Sequence, residues 1–164
     1  IYEKIRLMRN HGLISRDNCK IYGYNSRLDS IQAAVGLEMI KKINLITKSR
    51  IKNAKYLNNH LRNINEITLI KEKINYKSVY HLYQFFCKDR DRLNIYLRKN
   101  KIDSKVHYPK PLHLHHAAKK FHYKNGQFQN AERLAKKVIS IPVHEFIKKK
   151  ELDYMISKIK KFYK

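Results

Sequence analysis

Asn25 and Arg27 stand in the stretch GYNSRLDSIQAAVG, residues 23–36, which reads as the opening turn of a long helix shared with Asp29. Two roles are open to Asn25. Its side-chain oxygen can accept a backbone N–H as a helix cap. Alternatively its amide can donate to an anion, where free N–H groups and the helix dipole already favour negative charge. His107 and Tyr108 begin a second informative stretch, HYPKPLH, residues 107–113. Prolines on both sides of Lys110 stiffen it and fix where His107, Tyr108 and His113 point. A rigid His/Tyr loop at a strand end suits hydrogen bonding to hydroxyls or phosphates, and it equally suits an ordinary surface loop.

Other chemistries find less support. His113, His115 and His116 lie close together, with His107 and His122 nearby. A zinc site needs a fixed tetrahedral arrangement with hydrogen-bonded outer partners, and HLHH, flanked by Lys119 and Lys120, offers no carboxylate or thiolate companion. A solvated or substrate-facing loop is the better reading, and no metal is expected. Cys19 and Cys87 make neither a metal spacing nor a disulfide framework, and read as reduced thiols. No Gly-rich phosphate loop, nucleophile elbow or Cys/His pair occurs, and the thirteen acids are scattered.

These residues need elements to hold them. IYEKIRLMRNHG places Ile1, Ile5 and Met8 on one helical face and ends at a glycine. A polar loop, LISRDNCKIYGYN, follows. The apolar spacing then predicts a helix from about residue 26 to 64, with Leu28, Ile31, Val35, Met39 and Ile43 on one stripe. Its length predicts a kink or break at 44–47. EITLI and SVYHLYQFFC read as strands, being rich in β-branched and aromatic residues. DRLNIYLRKN is a short helix that Asp89 or Asp91 can cap. SKVHYP is a strand stopped by Pro109, and PLHLHHAAKKFHY is loop and short helix. QNAERLAKKVISIP reads as one helix on Ala131, Leu134, Ala135 and Val138. A last helix, about 148–163, buries Leu152, Met155, Ile159 and Phe162. The order implies a small sheet covered by helices.

The chain of 164 residues carries 37 Lys and Arg against 13 acids, a net charge of +24. Such a charge points to nucleic acid or anionic lipid when it is clustered. Here it is diffuse, mixed with Ile and Asn, and codon bias explains it as well as a polyanion does. A basic nucleic-acid-binding module is therefore the weaker alternative, with a non-catalytic fragment as another. No apolar run reaches membrane-spanning length and no signal-peptide pattern occurs, so a cytoplasmic protein without membrane contact is expected. The sequence opens at Ile1 inside a helical pattern, and reads as the back part of something longer.

LMRNHG, GYNSRLDSIQAAVG, YHLYQF, RDRLNIYLRKNKI, VHYPKPLH and AERLAKKVISIPV, in that order, resemble the DegT/DnrJ/StrS-type sugar-nucleotide aminotransferases. The resemblance covers nearly the whole chain. It implies an α/β fold, the C-terminal part of a fold type I (aspartate-aminotransferase-like) enzyme dependent on pyridoxal phosphate (PLP). It implies a helical interdomain region over 1–64 and a small α/β domain over 65–164. The large PLP-binding domain, with the Schiff-base Lys and the Asp that pairs with the pyridine nitrogen, is expected upstream. No catalytic residue is assigned here, and the chain alone is expected to be inactive and to expose apolar surface.

By the same resemblance, Asn25 hydrogen-bonds the PLP phosphate of the partner subunit in a homodimer with a shared active site. Arg27, in the same motif, adds positive charge near it. His107 and Tyr108 line the sugar-nucleotide pocket. The implied reaction moves an amino group, typically from glutamate, to a nucleotide-linked keto-sugar in polysaccharide or surface-sugar biosynthesis.

Overall fold

A computed structural model describes residues 1–164, which form two compact units, Ile1–Ile43 and Asn44–Lys164. The division falls earlier than the boundary expected after residue 64. The reason lies in the long helix α2 (Ser30–Leu61), whose second half buries Asn53, Ala54, Leu57 and Leu61 in the core of the second unit.

The first unit opens with α1 (Tyr2–Met8). The segment expected to be loop instead forms an antiparallel hairpin, β1 (Leu13–Ser15) and β2 (Asn18–Cys19). A stretch this polar carries little strand signal, and the pairing is set by the turn rather than by an apolar face. Helix α2 begins at Ser30, four residues later than the apolar spacing predicts. Its cap is Asp29, whose Oδ1 accepts the backbone N–H of Gln32 at 2.9 Å. The helix then runs to Leu61 with no break at 44–47. Ile31, Val35, Met39 and Ile43, the predicted stripe, are exposed, Ile31 to 78%.

The second unit centres on an antiparallel sheet in the order β3 (Ile67–Leu69), β4 (Tyr83–Cys87), β5 (Val138–Ile141). Phe85 pairs with Leu69 on one side and Ile139 on the other. Strand alternation sends Tyr83, Phe85 and Cys87 to one face, where they are buried with Leu57, Leu61, Leu93, Leu97, Leu152, Met155 and Ile159. These come from α2, α3 (Arg90–Lys99) and α5 (Lys149–Phe162). The carboxylate of Glu151 accepts the Lys148 backbone N–H at 2.7 Å and closes the first turn of α5. Gln84 and Phe86 point to the opposite face.

Three further expectations change. The strand predicted from residue 78 begins at Tyr83. SKVHYP forms only an isolated bridge between Lys105 and Ser140. The helix predicted through Ile141 is two elements: α4 (Gln129–Lys137), then β5, all four of whose residues are buried. Apolar spacing runs across that junction, but the β-branched pair Val138 and Ile139 prefers the central pleated sheet. No helix is long and apolar enough to cross a membrane.

Candidate functional site

In the first unit, the turn carrying Asn25 and Arg27 is held against the end of α1. Tyr24 N–H donates to Met8 O at 2.6 Å, Ser26 N–H to Arg9 O at 2.9 Å, and His11 N–H to Tyr24 O at 2.9 Å. Asn10 and Asn25 thereby form an isolated antiparallel bridge. Two glycines make the approach possible. Gly12 has φ +73°, and a Cβ there would lie 1.6 Å from Ile21 O; a Cβ on Gly23 would lie 2.6 Å from the Gly12 nitrogen.

Asn25 is therefore not a helix cap. It lies five residues before α2, on an extended segment, and Asp29 does the capping. The same placement takes Asn25 away from the helix N-terminus, so the dipole argument for an anion beside it lapses as well. Its residue is exposed, and its amide is left for a partner outside this turn. Arg27 lines a cavity of about 500 Å³ with Arg6, Arg9, Asn10, Glu3 and three apolar residues. Three guanidinium groups against one carboxylate make that hollow attractive to an anion.

In the second unit, the rings of His107 and Tyr108 stand edge-on with centroids 5.7 Å apart. His107 is half-buried and Tyr108 is 74% exposed. His107 Nδ1 lies 2.9 Å from Ser140 Oγ. Gln84 Nε2 donates to Ser140 Oγ at 3.3 Å and to the His107 carbonyl at 3.0 Å. Ser140 Oγ thus meets both Gln84 Nε2 and His107 Nδ1, which fixes the imidazole through one ring nitrogen and leaves Nε2 for a ligand. Ser140 is locked in turn by reciprocal backbone bonds with Lys105, at 2.8 and 3.0 Å. Gln84 and Ser140 were not singled out from the sequence, since both sit inside strands, within the stretches YHLYQF and AERLAKKVISIPV.

His107 and Tyr108 open onto a cavity of about 790 Å³ on the outer face of the sheet. Its walls come from β4 (Phe86), α4 (Ala131, Leu134, Ala135) and the loop around Pro111 and Leu112. The volume is that of a site for a small organic ligand. Around the clustered histidines no group of three His, Cys, Asp or Glu side chains is assembled. His113 Nε2 instead meets Glu132 at 2.9 Å, and His115 Nε2 lies 3.2 Å from Lys110 O.

Glu132 is the other residue that sequence reading passed over. Its carboxylate is held below the ordinary value of 4.5, first by the Gly126 backbone N–H and then by His113 and Phe128 N–H. A depressed carboxylate contributes stability that is fully present above its unfolded value and lost as pH falls through the folded one. Glu132→Gln should therefore flatten the acid limb of the stability curve below about pH 4.5. Thermal melts from pH 6 down to pH 3 read this directly; parallel acid limbs in variant and parent would contradict it.

The second unit is a small antiparallel sheet backed by helices, with a cavity beside His107 and Tyr108, and the first carries an arginine-lined hollow. The chain belongs to the DegT/DnrJ/EryC1/StrS aminotransferase family, whose pattern matches residues 1–160. A pleiotropic regulatory protein of Geobacillus stearothermophilus is 32% identical over 99% of this chain and 44% of its own length. A dTDP-3-amino-3,4,6-trideoxy-alpha-D-glucose transaminase of Streptomyces venezuelae is 30% identical over 86% of this chain and 37% of its own. The crystal structure of S. venezuelae DesV in complex with a ketimine intermediate superposes with TM-score 0.92 at 27% identity, covering 99% of this chain and 44% of that one. The fold is thus α/β and matches part of the fold type I aminotransferase architecture, and the chain spans less than half the length of these relatives.

Proposed function

We propose that this chain is the C-terminal portion of an aminotransferase that uses PLP, the cofactor of its family, to move an amino group from glutamate to a nucleotide-linked keto-sugar. The active enzyme is a homodimer with a shared site. Surface or polysaccharide sugar biosynthesis in the cytoplasm is the setting this chemistry suits.

The observation that carries the reading is Asn25, exposed on a glycine-locked turn and relieved of capping by Asp29. The donor set fits the phosphate end of PLP: a neutral amide donor at Asn25, with Arg27, Arg6 and Arg9 at the neighbouring hollow. No lysine lines that hollow, and none in the chain is given the Schiff-base role, which falls to the domain expected upstream. When bound, PLP supplies the electron sink for amino transfer.

The remaining work is done by residues present here. The Asn25 amide would donate to the phosphate of the second copy's cofactor, and Arg27 would offset its charge. His107, with Nδ1 committed to Ser140, donates from Nε2 to an oxygen of the sugar nucleotide. The exposed Tyr108 hydroxyl supplies a second donor and acceptor beside it. Because Ser140 and Gln84 fix His107 before substrate arrives, less side-chain freedom is lost on binding.

The direct test expresses the complete reading frame containing this chain and supplies glutamate with dTDP- or UDP-linked keto-sugars. Formation of an amino-sugar nucleotide by mass spectrometry, dependent on added PLP, is expected. Amino transfer confined to free amino acids, with no nucleotide sugar consumed, would overturn the substrate assignment.

A further inference from the structure

The cavity beside His107 and Tyr108 has one wall built in an unusual way. Glu132 is 9% exposed, although carboxylates are seldom so buried unless paired. Its Oε1 accepts from His113 Nε2 at 2.9 Å, Gly126 N–H at 2.8 Å and Phe128 N–H at 3.3 Å; Oε2 also faces Gly126 N–H at 2.9 Å. One side chain thus ties together the loop after Pro111, the turn at Gly126 with its φ of +88°, and the start of α4.

None of these groups belongs to the main core, which lies on the other face of the sheet. Glu132 instead orders the rings that line the cavity. The His113 imidazole, 8% exposed, packs against Phe128 with centroids 4.7 Å apart, and Tyr123 meets Phe128 edge-on at 5.3 Å. Phe86 of β4 lines the same cavity, as do Lys110 and His115. A buried, hydrogen-bonded carboxylate is a poor source of net stability, because desolvation offsets most of what its bonds supply. What this one supplies is fixed geometry.

We propose that Glu132 is a positioning residue which, through His113 and Phe128, shapes this cavity into a slot for a flat heteroaromatic ring, the base of a nucleoside diphosphate. Phe86, Phe128 and His113 offer ring faces and edges for stacking, which any base can use. Lys110 supplies positive charge for the diphosphate. The assignment rests on reading His107 and Tyr108 as contacts of a nucleotide-linked sugar, and it adds where the base goes and what holds its wall.

The test titrates the complete protein with UDP, uridine and inorganic pyrophosphate, following the side-chain NMR signals of Phe86, Phe128 and His113. UDP and uridine should both shift these signals saturably. Glu132→Ala, which strands buried donors, should weaken UDP binding about tenfold or more, whereas Glu132→Gln, which still accepts hydrogen bonds, should stay within about threefold of the parent. That rescue separates positioning from charge. Where Glu132→Ala lowers the folded fraction, Phe128→Leu carries the test and should weaken UDP about fivefold through lost stacking.

Three results would overturn the proposal: no shift with UDP, equal UDP affinity in parent and Phe128→Leu, or a response to pyrophosphate with none to uridine. Its failure is distinguishable from that of the transaminase reading. Amino transfer by the complete protein with these signals untouched by UDP removes the slot alone. UDP-induced shifts with no amino transfer leave the slot standing and remove the reaction.

Discussion

Gly12→Ala should dismantle the turn that presents Asn25 and Arg27. A Cβ at this position meets Ile21 O at 1.6 Å, and the obstacle is backbone, which cannot swing aside as a side chain can. The left-handed φ of +73° adds its own penalty of about 1 kcal/mol for any residue with a Cβ. Together these exceed ordinary overpacking, so a local cost of about 3 kcal/mol or more is expected. Gly12 is bonded on both sides, its N–H to Leu7 O at 2.8 Å and its carbonyl to Lys20 N–H at 2.9 Å, so movement there drags α1 and β2 with it. Amide exchange at Tyr24 and Ser26, whose N–H groups donate to Met8 O and Arg9 O, should lose its protection in the variant. Unchanged protection at both would contradict the geometry.

Phe85→Ala should produce the largest loss in the second unit. Phe85 is fully buried at the centre of the middle strand, flanked by Leu69 and Ile139. Removing a buried phenyl ring there costs about 3–5 kcal/mol, since strands paired on both sides relax little into the cavity. A Tm drop of roughly 10 °C or more follows. The adjacent Phe86 is the control: it points to the other face, is only half-buried, and lines the ligand cavity. Phe86→Ala should cost clearly less in stability while altering ligand response. Equal Tm losses at the two positions would show that the sheet faces are assigned wrongly.

Much of the fold was legible where one signal dominated. α3 and α5 followed their apolar spacing because each buries one stripe against the sheet. β4 was visible in YQFFC, whose alternate residues divide between core and cavity. Legibility failed where two signals overlapped. Val138 continued the helical spacing of Ala131, Leu134 and Ala135, yet its place in the sheet is decided by pairing with Phe86, a partner distant in sequence. The hairpin at 13–19 has too few apolar residues to announce itself.

The site followed the same logic. The prolines beside His107 and Tyr108 mark a rigid loop, while the pocket role proposed for the pair comes from the family resemblance. Ser140 and Gln84, which orient His107, were not singled out, since a serine or glutamine within a strand has no local signature of that task. Glu132 sits on an amphipathic helix with nothing local to mark it, and only the fold brings Gly126 and His113 to it. Asn25 shows the reverse case. Its neighbours suggested a cap, but the helix starts at Ser30 and the task passes to Asp29.

That shift makes Asn25 the sharpest point of attack. As an exposed residue outside any cap, Asn25→Ala should change stability by no more than about 0.5 kcal/mol. A lost hydrogen bond to a phosphate is worth about 1.5–3 kcal/mol, a factor of roughly 10 to 100 in affinity. The decisive measurement is the dissociation constant of PLP for the complete protein, parent against Asn25→Ala, with Tm of the cofactor-free forms recorded alongside. At least a tenfold rise in Kd with matched Tm values is the predicted result; equal PLP affinity in the two proteins would contradict the phosphate-binding role of Asn25.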